Sequence, residues 1–406
     1  MGGGVRDLLL GRKPKDFDVV TNARPEQVRQ VFKKGCILIG RRFRLAHVRF
    51  GHEVIEVATF RGPQDGQESG ERITINGRIV RDNIYGSSIA DDVWRRDFSI
   101  NALYYNISDF SVVDFVGGMA DIEGRTLRLI GNPETRYQED AVRALRAARF
   151  AAKLGFRIHP DTEAPIREFA GLLHEMPPAR LFDEVLKLFH GGHALASFRM
   201  LRHYELFDRL FPATNALLAR TESGFIRRLV ERALANTDAR IAEGKPVTPS
   251  FLFAALLWEP MQHLARRNQE RGMKMTEAFD AAKRKVIEQQ IKHVSLPRRH
   301  IAMTQEIWTF QQRFARHMNK RPRRLIVHPR FRAGYDFLIL RAEAGDEEIR
   351  ELAKWWTDYQ ETDKPTQQSA REPTREAPKK KRPSGRRGGR KRKSGSKPRQ
   401  DAIPDL

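Results

Sequence analysis

Two carboxylates near the start of the chain are spaced for metal-dependent chemistry. Asp16 and Asp18 occupy alternate positions of the run Asp16-Phe-Asp-Val-Val20, which has the apolar pattern of a β-strand. On a strand both carboxylates point to one face, where they repel each other unless a divalent cation lies between them. Mg²⁺ prefers such oxygen ligands and shares them with substrate phosphates. We therefore predict metal binding by Asp16 and Asp18; the alternative is an exposed acidic turn.

A glycine run precedes these acids. Gly2-Gly-Gly4 is followed by Val5, Arg6 and Asp7. Glycine lets backbone N–H groups approach phosphate oxygens closely, and an arginine adds a charged pair of donors. Gly3, Gly4 and Arg6 are therefore candidates for phosphate binding, although a flexible leader has the same composition.

Residues 1–130 alternate between strand-like and turn-like runs. These elements would position the acidic pair and the glycine run. Alternating patterns predict strands over 16–20, 45–50 and 54–60, and Pro25 begins a predicted helix. Residues 62–86 are rich in Gly, Asn, Gln and Asp, which indicates a long loop.

The second half of the chain has helical periodicity. Runs such as 141–150 and 179–189 repeat apolar residues at helical spacing, and the pattern continues from about residue 139 to residue 356. It ends after residue 360, and the basic stretch 379–393 lacks the apolar residues needed for a core. This tail is predicted to be disordered.

Composition indicates a polyanionic partner. The chain has 74 Lys and Arg against 51 Asp and Glu, a formal net charge of +23, and basic proteins gain affinity for nucleic acid by releasing counterions from phosphates. Cys36 is the single cysteine, which excludes a disulfide framework and a Cys-rich zinc site. No apolar run approaches the about 20 residues of a membrane span, and we expect a cytoplasmic protein.

Two further motifs follow the glycine run and the acidic pair. They are Arg95-Arg-Asp-Phe-Ser-Ile-Asn-Ala102 and Glu139-Asp-Ala-Val-Arg-Ala-Leu-Arg-Ala-Ala-Arg-Phe150. The ordered set resembles the nucleotidyltransferase superfamily, in the branch shared by bacterial poly(A) polymerases and tRNA CCA-adding enzymes. That resemblance implies an α+β fold, in which a head with a mixed β-sheet and helices precedes an all-α neck and body.

The resemblance also implies catalytic residues. Asp16, Asp18 and Asp97 are the catalytic acids it indicates, with Asp16 and Asp18 as ligands of two Mg²⁺ ions, which Mn²⁺ could replace. Glu56, on the predicted strand 54–60, is a second candidate for the place of Asp97. The residues alone do not decide between Asp97 and Glu56.

The same resemblance implies how ATP is bound. Gly3, Gly4, Arg6 and Arg96 would contact the phosphates or the ribose. Asp140 and Arg143, within the third motif, resemble the pair by which this branch reads the incoming base. Because they are three residues apart, a helix would place both on one face; an ordinary surface ion pair would have the same spacing.

The implied domains divide the chain into four. They are the head over residues 1–130, which lacks the first strand usual in such heads, the neck over 131–190, the helical body over 191–360 and the disordered basic tail over 361–406. The tail cations are the predicted RNA-binding residues: Lys379, Lys380, Lys381, Arg382, Arg386, Arg387, Arg390, Lys391, Arg392 and Lys393.

The catalytic motifs do not distinguish poly(A) addition from CCA addition. The run 40–50, the loop 62–86 and the basic tail resemble the poly(A) polymerases, and a mobile basic arm grips RNA without reading its sequence. We therefore predict a template-independent adenylyltransferase that acts on RNA 3′ ends with ATP and contacts RNA-decay proteins through its tail. The alternatives are a CCA-adding enzyme and a non-catalytic RNA-binding protein.

Overall fold

The structure is a computed structural model. It describes residues 1–40, 44–62, 72–75, 78–82, 84–86, 88–220, 224–317 and 322–369, and among these the side chains of 72–75, 78–82, 317 and 363–369 are not described. The ten tail cations predicted to bind RNA, and residues 41–43 of the run 40–50, lie outside the described residues.

Four strands near the N-terminus form the main sheet. They are β1 (Asp18–Thr21), β2 (Cys36–Ile39), β3 (Leu45–Phe50) and β4 (Glu53–Thr59), in the spatial order β1-β4-β3-β2. β1 runs parallel to β4, whereas the β2–β3 and β3–β4 pairs are antiparallel. The predicted strands over 45–50 and 54–60 are confirmed to within a residue at each end.

The predicted strand over 16–20 begins later than expected. Only Asp18 lies on β1, and Asp16 belongs to an irregular exposed segment before it. The backbone of this segment lies against α1, since a Cβ added to Gly4 would lie 3.2 Å from the Asp16 carbonyl oxygen. The acidic pair therefore does not share one strand face.

Four helices accompany this sheet and the loops that follow it. They are α1 (Gly3–Leu9), α2 (Pro25–Phe32), α3 (Ile89–Trp94) and α4 (Gly118–Glu123). As predicted, α2 begins at Pro25, and the Gln27 side chain accepts a hydrogen bond from the Arg24 amide at 2.8 Å. Val28 of α2 packs with Cys36 and Val48, so that α2 covers one face of the sheet.

Three pairs of short strands complete the β structure in the described residues. They are β5 (Arg72–Ile75) with β6 (Arg78–Asp82), β7 (Tyr104–Tyr105) with β8 (Val112–Val113), and β9 (Thr126–Leu127) with β10 (Arg157–Ile158). The first pair is antiparallel and lies inside 62–86. The prediction of an unstructured loop there is wrong for these residues, because Arg72–Ile75 and Arg78–Asp82 both carry the β-branched residues that favour strands.

The rest of the described chain is helical, as its periodicity predicted. These helices are α5 (Pro133–Glu139), α6 (Val142–Leu154), α7 (Pro160–Glu163), α8 (Ile166–Phe169), α9 (Pro178–Phe189), α10 (Ala194–His203), α11 (Leu206–Leu210), α12 (Pro212–Arg220), α13 (Phe225–Ala242), α14 (Pro249–Leu256), α15 (Trp258–Glu270), α16 (Met275–Gln290), α17 (Arg298–His317), α18 (Pro322–Ile326), α19 (Phe331–Glu343) and α20 (Arg350–Ser369).

The boundary of the predicted disordered tail needs correction. α20 continues to Ser369, so residues 361–369, which were expected to be disordered, are helical. Trp356 is fully buried in the preceding part of this helix, and extending an existing helix requires far less free energy than nucleating one.

One apolar core joins the two halves of residues 1–357, which pack as one compact unit. It extends from Val5 in α1 through Phe98 and Leu145 to Ala344. A second cluster surrounds Phe314 and Trp356. The division into head, neck and body at residues 130 and 190 stays a prediction. No helix in the described residues is sufficiently long and apolar to cross a membrane.

Candidate active site

Glu56, and not only Asp16, is a close neighbour of Asp18. Asp18 on β1 pairs with Glu56 on β4 in the parallel ladder, and paired residues on adjacent strands project from the same face. Glu56 also pairs across the antiparallel ladder with His47, whose Nε2 lies 3.4 Å from Glu56 Oε2. The sheet therefore presents two carboxylates side by side, and Asp16 lies two residues before Asp18 in the segment that precedes β1.

The carboxylates of Glu56 and Asp16 act electrostatically on Asp18. Burial raises the pKa of Asp18, and the negative charges of Glu56 and then Asp16 raise it further. Among the described residues, however, no three His, Cys, Asp or Glu side chains converge closely enough to enclose a metal ion. The donor set fits a divalent cation because it is made of hard, mutually repelling oxygens, and Asp16 lies in an exposed segment that is outside the β-ladder.

Asp97 is saturated with hydrogen bonds. Its Oδ1 accepts from the Phe98 amide at 2.8 Å and from Asn101 Nδ2 at 3.2 Å, and its Oδ2 accepts from Nε of Arg146 at 2.7 Å and from Nη2 of the same residue. Although burial opposes ionisation, Arg146 and these hydrogen bonds lower the pKa of Asp97 to about 2. A carboxylate offers about four acceptor positions, and all four are used. The geometry favours Glu56 over Asp97 as the third ligand.

The glycine run forms a helix and not a loop. Gly3 and Gly4 are the first turn of α1, and their amides precede the point where intrahelical bonding begins. The Arg6 guanidinium is 3% exposed and donates to Asp7 Oδ1 at 2.8 Å and to Asn101 Oδ1 at 2.5 Å. Arg6, predicted as a phosphate ligand, is therefore a buried partner of Asp7 and Asn101, because its side chain points into the protein.

Arg96 is similarly engaged within the protein. Its Nη2 donates to Asp92 Oδ2 at 2.9 Å, its Nε donates to the Tyr104 hydroxyl at 2.7 Å, and its guanidinium lies over the Tyr104 ring. Although burial opposes ionisation, the charge of Asp92, the Tyr104 hydroxyl and the hydrogen bonds to both together raise the pKa of Arg96. Arg96 therefore binds Asp92 of α3 and Tyr104, and its contact with ATP stays a prediction.

Asp140 and Arg143 do not share one helix as predicted. Asp140 ends α5 in an extended conformation with φ −157°, and α6 starts at Val142. The turn between the two helices still brings the pair together, since the Arg143 amide donates to the Asp140 carbonyl at 3.0 Å. Arg180, in the first turn of α9, donates a hydrogen bond to Asp140 Oδ2.

Arg143 is fixed by its neighbours. Its Nη1 donates to the Arg136 carbonyl at 2.6 Å and to Glu139 Oε2 at 3.2 Å. Arg136 donates to the same Glu139 oxygen at 2.8 Å. Glu139 thus orients two guanidinium groups, and Arg143 and Asp140 offer a donor and an acceptor next to each other. Such a pair matches the edge of a nucleobase.

A cavity of about 320 Å³ lies beside this turn. Its wall includes Trp94, Arg95, Arg136 and Glu139. None of the predicted metal ligands lines it. The cavity therefore lies between α3 and the turn at Glu139, and it does not extend to Asp18.

Sequence reasoning missed two long-range arginine contacts. Arg146 binds Asp97, and Arg136 Nη2 donates to the Arg96 carbonyl oxygen. The signal was present in the repeat of arginines at positions 143, 146 and 149 on a helix otherwise rich in alanine. Spacing showed that they share a helix surface, but it could not identify partners almost fifty residues away.

Three sequence profiles match the chain. The poly(A) polymerase head domain matches residues 1–128, the "probable RNA and SrmB-binding site of polymerase A" matches residues 155–218, and the polymerase A arginine-rich C-terminus matches residues 271–394. The poly(A) polymerase I of Escherichia coli O6:H1 is 50% identical over 373 residues, which cover 90% of this chain and 80% of that protein. The chain belongs to the poly(A) polymerase I family.

CCA-adding enzymes are more distant from this family member. The CCA-adding enzyme of Bacillus subtilis is 34% identical over 210 residues, 52% of this chain and 50% of that protein. The Thermotoga maritima CCA-adding enzyme, solved in complex with tRNA, aligns with a TM-score of 0.56 at 22% identity and covers 88% of this chain and 76% of that structure. The two branches therefore share the fold, and of these relatives the poly(A) polymerase I of Escherichia coli matches most of the chain whereas the CCA-adding enzyme of Bacillus subtilis matches about half of it.

Proposed function

We propose that this protein is a template-independent polynucleotide adenylyltransferase, which adds AMP from ATP to RNA 3′ ends and releases pyrophosphate. The match to poly(A) polymerase I along 90% of the chain carries the proposal. The carboxylates of Asp18 and Glu56, side by side on the head sheet, provide the chemistry that the reaction requires.

Asp16, Asp18 and Glu56 are the residues that would hold divalent cations in this proposal. When bound, Mg²⁺ or Mn²⁺ supplies a Lewis acid that activates the RNA 3′-hydroxyl and neutralises the triphosphate. The raised pKa of Asp18 supports this assignment, because a cation would relieve the repulsion from Glu56 and Asp16. Asp97 keeps a structural place in this scheme, bound to Arg146.

Asp140 and Arg143 would read the incoming base without a template strand. Glu139 holds Arg143 in place, and Arg180 holds Asp140. Preorganised donors and acceptors discriminate between bases because a mismatched base leaves buried polar groups unpaired. The first-turn amides of Gly3 and Gly4 in α1 are the candidates for contact with the phosphates.

RNA would be held mainly by charge. The region 155–218 matches a family model described as a probable RNA-binding site, and residues 361–406 carry 15 basic against 6 acidic residues. We place the boundaries between head, neck, body and tail at residues 130, 190 and 360. We further propose that the protein acts in the cytoplasm and that its tail contacts RNA-decay proteins. These assignments rest on the charge distribution and on the family.

The test of this function is incubation of the full chain with Mg²⁺, a short unstructured RNA and each NTP separately. We expect a ladder of long oligo(A) products with ATP and poor use of CTP on a denaturing gel. A tRNA that lacks its CCA end is the competing substrate. A product that ends in CCA on the tRNA, with no ladder on the generic RNA, would identify a CCA-adding enzyme; RNA binding without any incorporation would identify a non-catalytic protein.

The basic tail is predicted to strengthen RNA binding in a way that depends on the salt concentration. Replacing the ten basic residues between Lys379 and Lys393 by glutamine should weaken RNA affinity and reduce the slope of log affinity against log salt by about 0.7 per lost phosphate contact. Titration of a fluorescent RNA at several salt concentrations measures both quantities. A shuffled tail with the same charge is the control. If the slope stays at the wild-type value, the tail does not bind RNA.

A further inference from the structure

A continuous set of contacts connects the segment before β1, which carries Asp16, to the loop formed by residues 95–101. α1 packs against the backbone of Asp16, because Gly4 leaves room for the Asp16 carbonyl oxygen. Arg6, on the same helix, donates from Nη1 to Asn101 Oδ1. Asn101 Nδ2 then donates to Asp97 Oδ1 at 3.2 Å. Asp97 is therefore connected to the segment that carries Asp16 through side-chain contacts and one helix.

The opposite oxygen of Asp97 faces the helix that carries the base-reading residue. Arg146 of α6 donates to Asp97 Oδ2 from both Nε and Nη2. Arg143 precedes Arg146 by three residues on α6, so both extend from one side of that helix. The Asp97 side chain is 12% exposed and that of Arg146 is 30% exposed, so solvent screens the pair only weakly.

The paired hydrogen bonds from Arg146 to Asp97 restrict the relative orientation of the two side chains as well as the distance between them. A guanidinium that donates two hydrogen bonds to one carboxylate holds a defined orientation, whereas a lysine ammonium in the same place acts as a point charge. Rotation of the loop 95–101 against α6 would break one of the two bonds. The Arg146 ring contact supports this orientation, since its guanidinium lies over Phe150 at 5.5 Å.

We propose that Arg146 is a positioning residue that, by its paired hydrogen bonds to Asp97, sets the place of the base-reading Arg143 relative to the metal-binding carboxylates and thereby contributes to the selection of ATP over CTP. The inference rests on the proposed function, because it assigns Arg143 to base reading. It assigns no substrate contact to Arg146 itself. Coupling through such a network changes affinity or rate by a few-fold up to about thirtyfold.

The experiment measures kcat and KM for ATP and for CTP with full-length wild type, Arg146→Met, Arg146→Lys, Asp97→Asn and the double variant Arg146→Met/Asp97→Asn. The ratio of kcat/KM for the two nucleotides is the readout, because a lower folded fraction cancels from it. We expect the ratio to fall about five- to thirtyfold in Arg146→Met and Asp97→Asn, to fall no further in the double variant, and to be intermediate in Arg146→Lys.

Arg149→Met is the matched control. Arg149 lies on the same helix and over the same Phe150 ring at 4.5 Å, but its carboxylate partner is Glu184 of α9, at 4.0 Å. We expect this variant to lose thermal stability and to keep the wild-type nucleotide ratio. If Arg146→Met does not fold, Arg146→Lys and Asp97→Asn carry the same test.

The outcomes separate this inference from the proposed function. An active wild type, with an unchanged ratio in Arg146→Met, overturns the inference alone. An equal loss of ATP and CTP incorporation in Asp97→Asn also overturns it, because that pattern belongs to a metal ligand. A ratio that changes as much in Arg149→Met shows general loosening of α6 and also overturns the inference. A wild type that incorporates no nucleotide overturns the proposed function itself.

Discussion

Asp18→Asn is expected to reduce AMP incorporation about a thousandfold and to raise the melting temperature of the metal-free protein. The loss of activity follows from the several kcal/mol of transition-state stabilisation that a metal site supplies, at about 1.4 kcal/mol for each factor of ten. The gain in stability follows because burial and the charges of Glu56 and Asp16 disfavour the ionised carboxylate. RNA affinity should stay close to that of wild type.

The pH dependence of this stability difference has a defined sign. The folded-state pKa of Asp18 is raised above its ordinary value of 3.8, so its contribution to stability is fully present below pH 3.8 and is lost as the pH rises through the folded-state pKa. The melting-temperature difference between Asp18→Asn and wild type should therefore be small near pH 4 and largest at neutral pH. Thermal unfolding in the presence of a chelator, at pH values from 4 to 7, measures it.

A second substitution and a metal titration control this result. Asp109→Asn removes an exposed acid from the turn between β7 and β8, where it accepts hydrogen bonds from Ser111, and should leave incorporation unchanged. Mg²⁺ should raise the melting temperature of wild type and have little effect on Asp18→Asn. Retention of more than a few per cent of the incorporation rate in Asp18→Asn would contradict the assignment of Asp18 as a metal ligand.

Arg143→Ala is expected to weaken the preference for ATP over CTP by about ten- to a hundredfold, which corresponds to about 1–3 kcal/mol for a lost paired hydrogen bond. In the described part of the chain, Nη1 of Arg143 makes the side-chain hydrogen bonds to Arg136 and Glu139. Its Nε and Nη2 groups remain as donors for a base edge. Single-turnover incorporation of ATP and CTP on the same RNA measures the preference.

Arg143→Lys is the companion variant for this measurement. Lysine keeps the charge next to Glu139 but loses the planar pair of donors, so discrimination should still fall while RNA affinity is retained. The Lys variant therefore separates recognition by geometry from attraction by charge. An ATP preference that is unchanged in both variants would remove Arg143 from base recognition.

Much of the head was predictable because its signals are local. The alternation of apolar and polar residues in 45–50 and 54–60 defines β3 and β4, and Pro25 marks the start of α2. These features depend on residues within a few positions of each other, and backbone periodicity encodes them directly. The order of the three motifs was likewise sufficient to predict the family, which the comparison with poly(A) polymerase I confirmed.

The partners of the charged residues became visible only once distant elements were packed together. By its motif Asp97 was one of two candidates for the third acidic residue, with Glu56, and its bond to Arg146 spans 49 positions. Arg6 could equally bind phosphate or Asn101, 95 positions away. Glu56 became a neighbour of Asp18 through the parallel β1–β4 register.

The physical reason for this division lies in the range of the interactions. Motif spacing and periodicity act within short segments, so they were enough to predict the residue types able to hold a metal, most of the regular elements and the family. Which carboxylate meets which arginine depends on how separate elements pack, since a charged side chain accepts any opposite partner that the fold brings within hydrogen-bonding distance. Only packing therefore determined that Asp97 contacts Arg146 and that Glu56 lies beside Asp18.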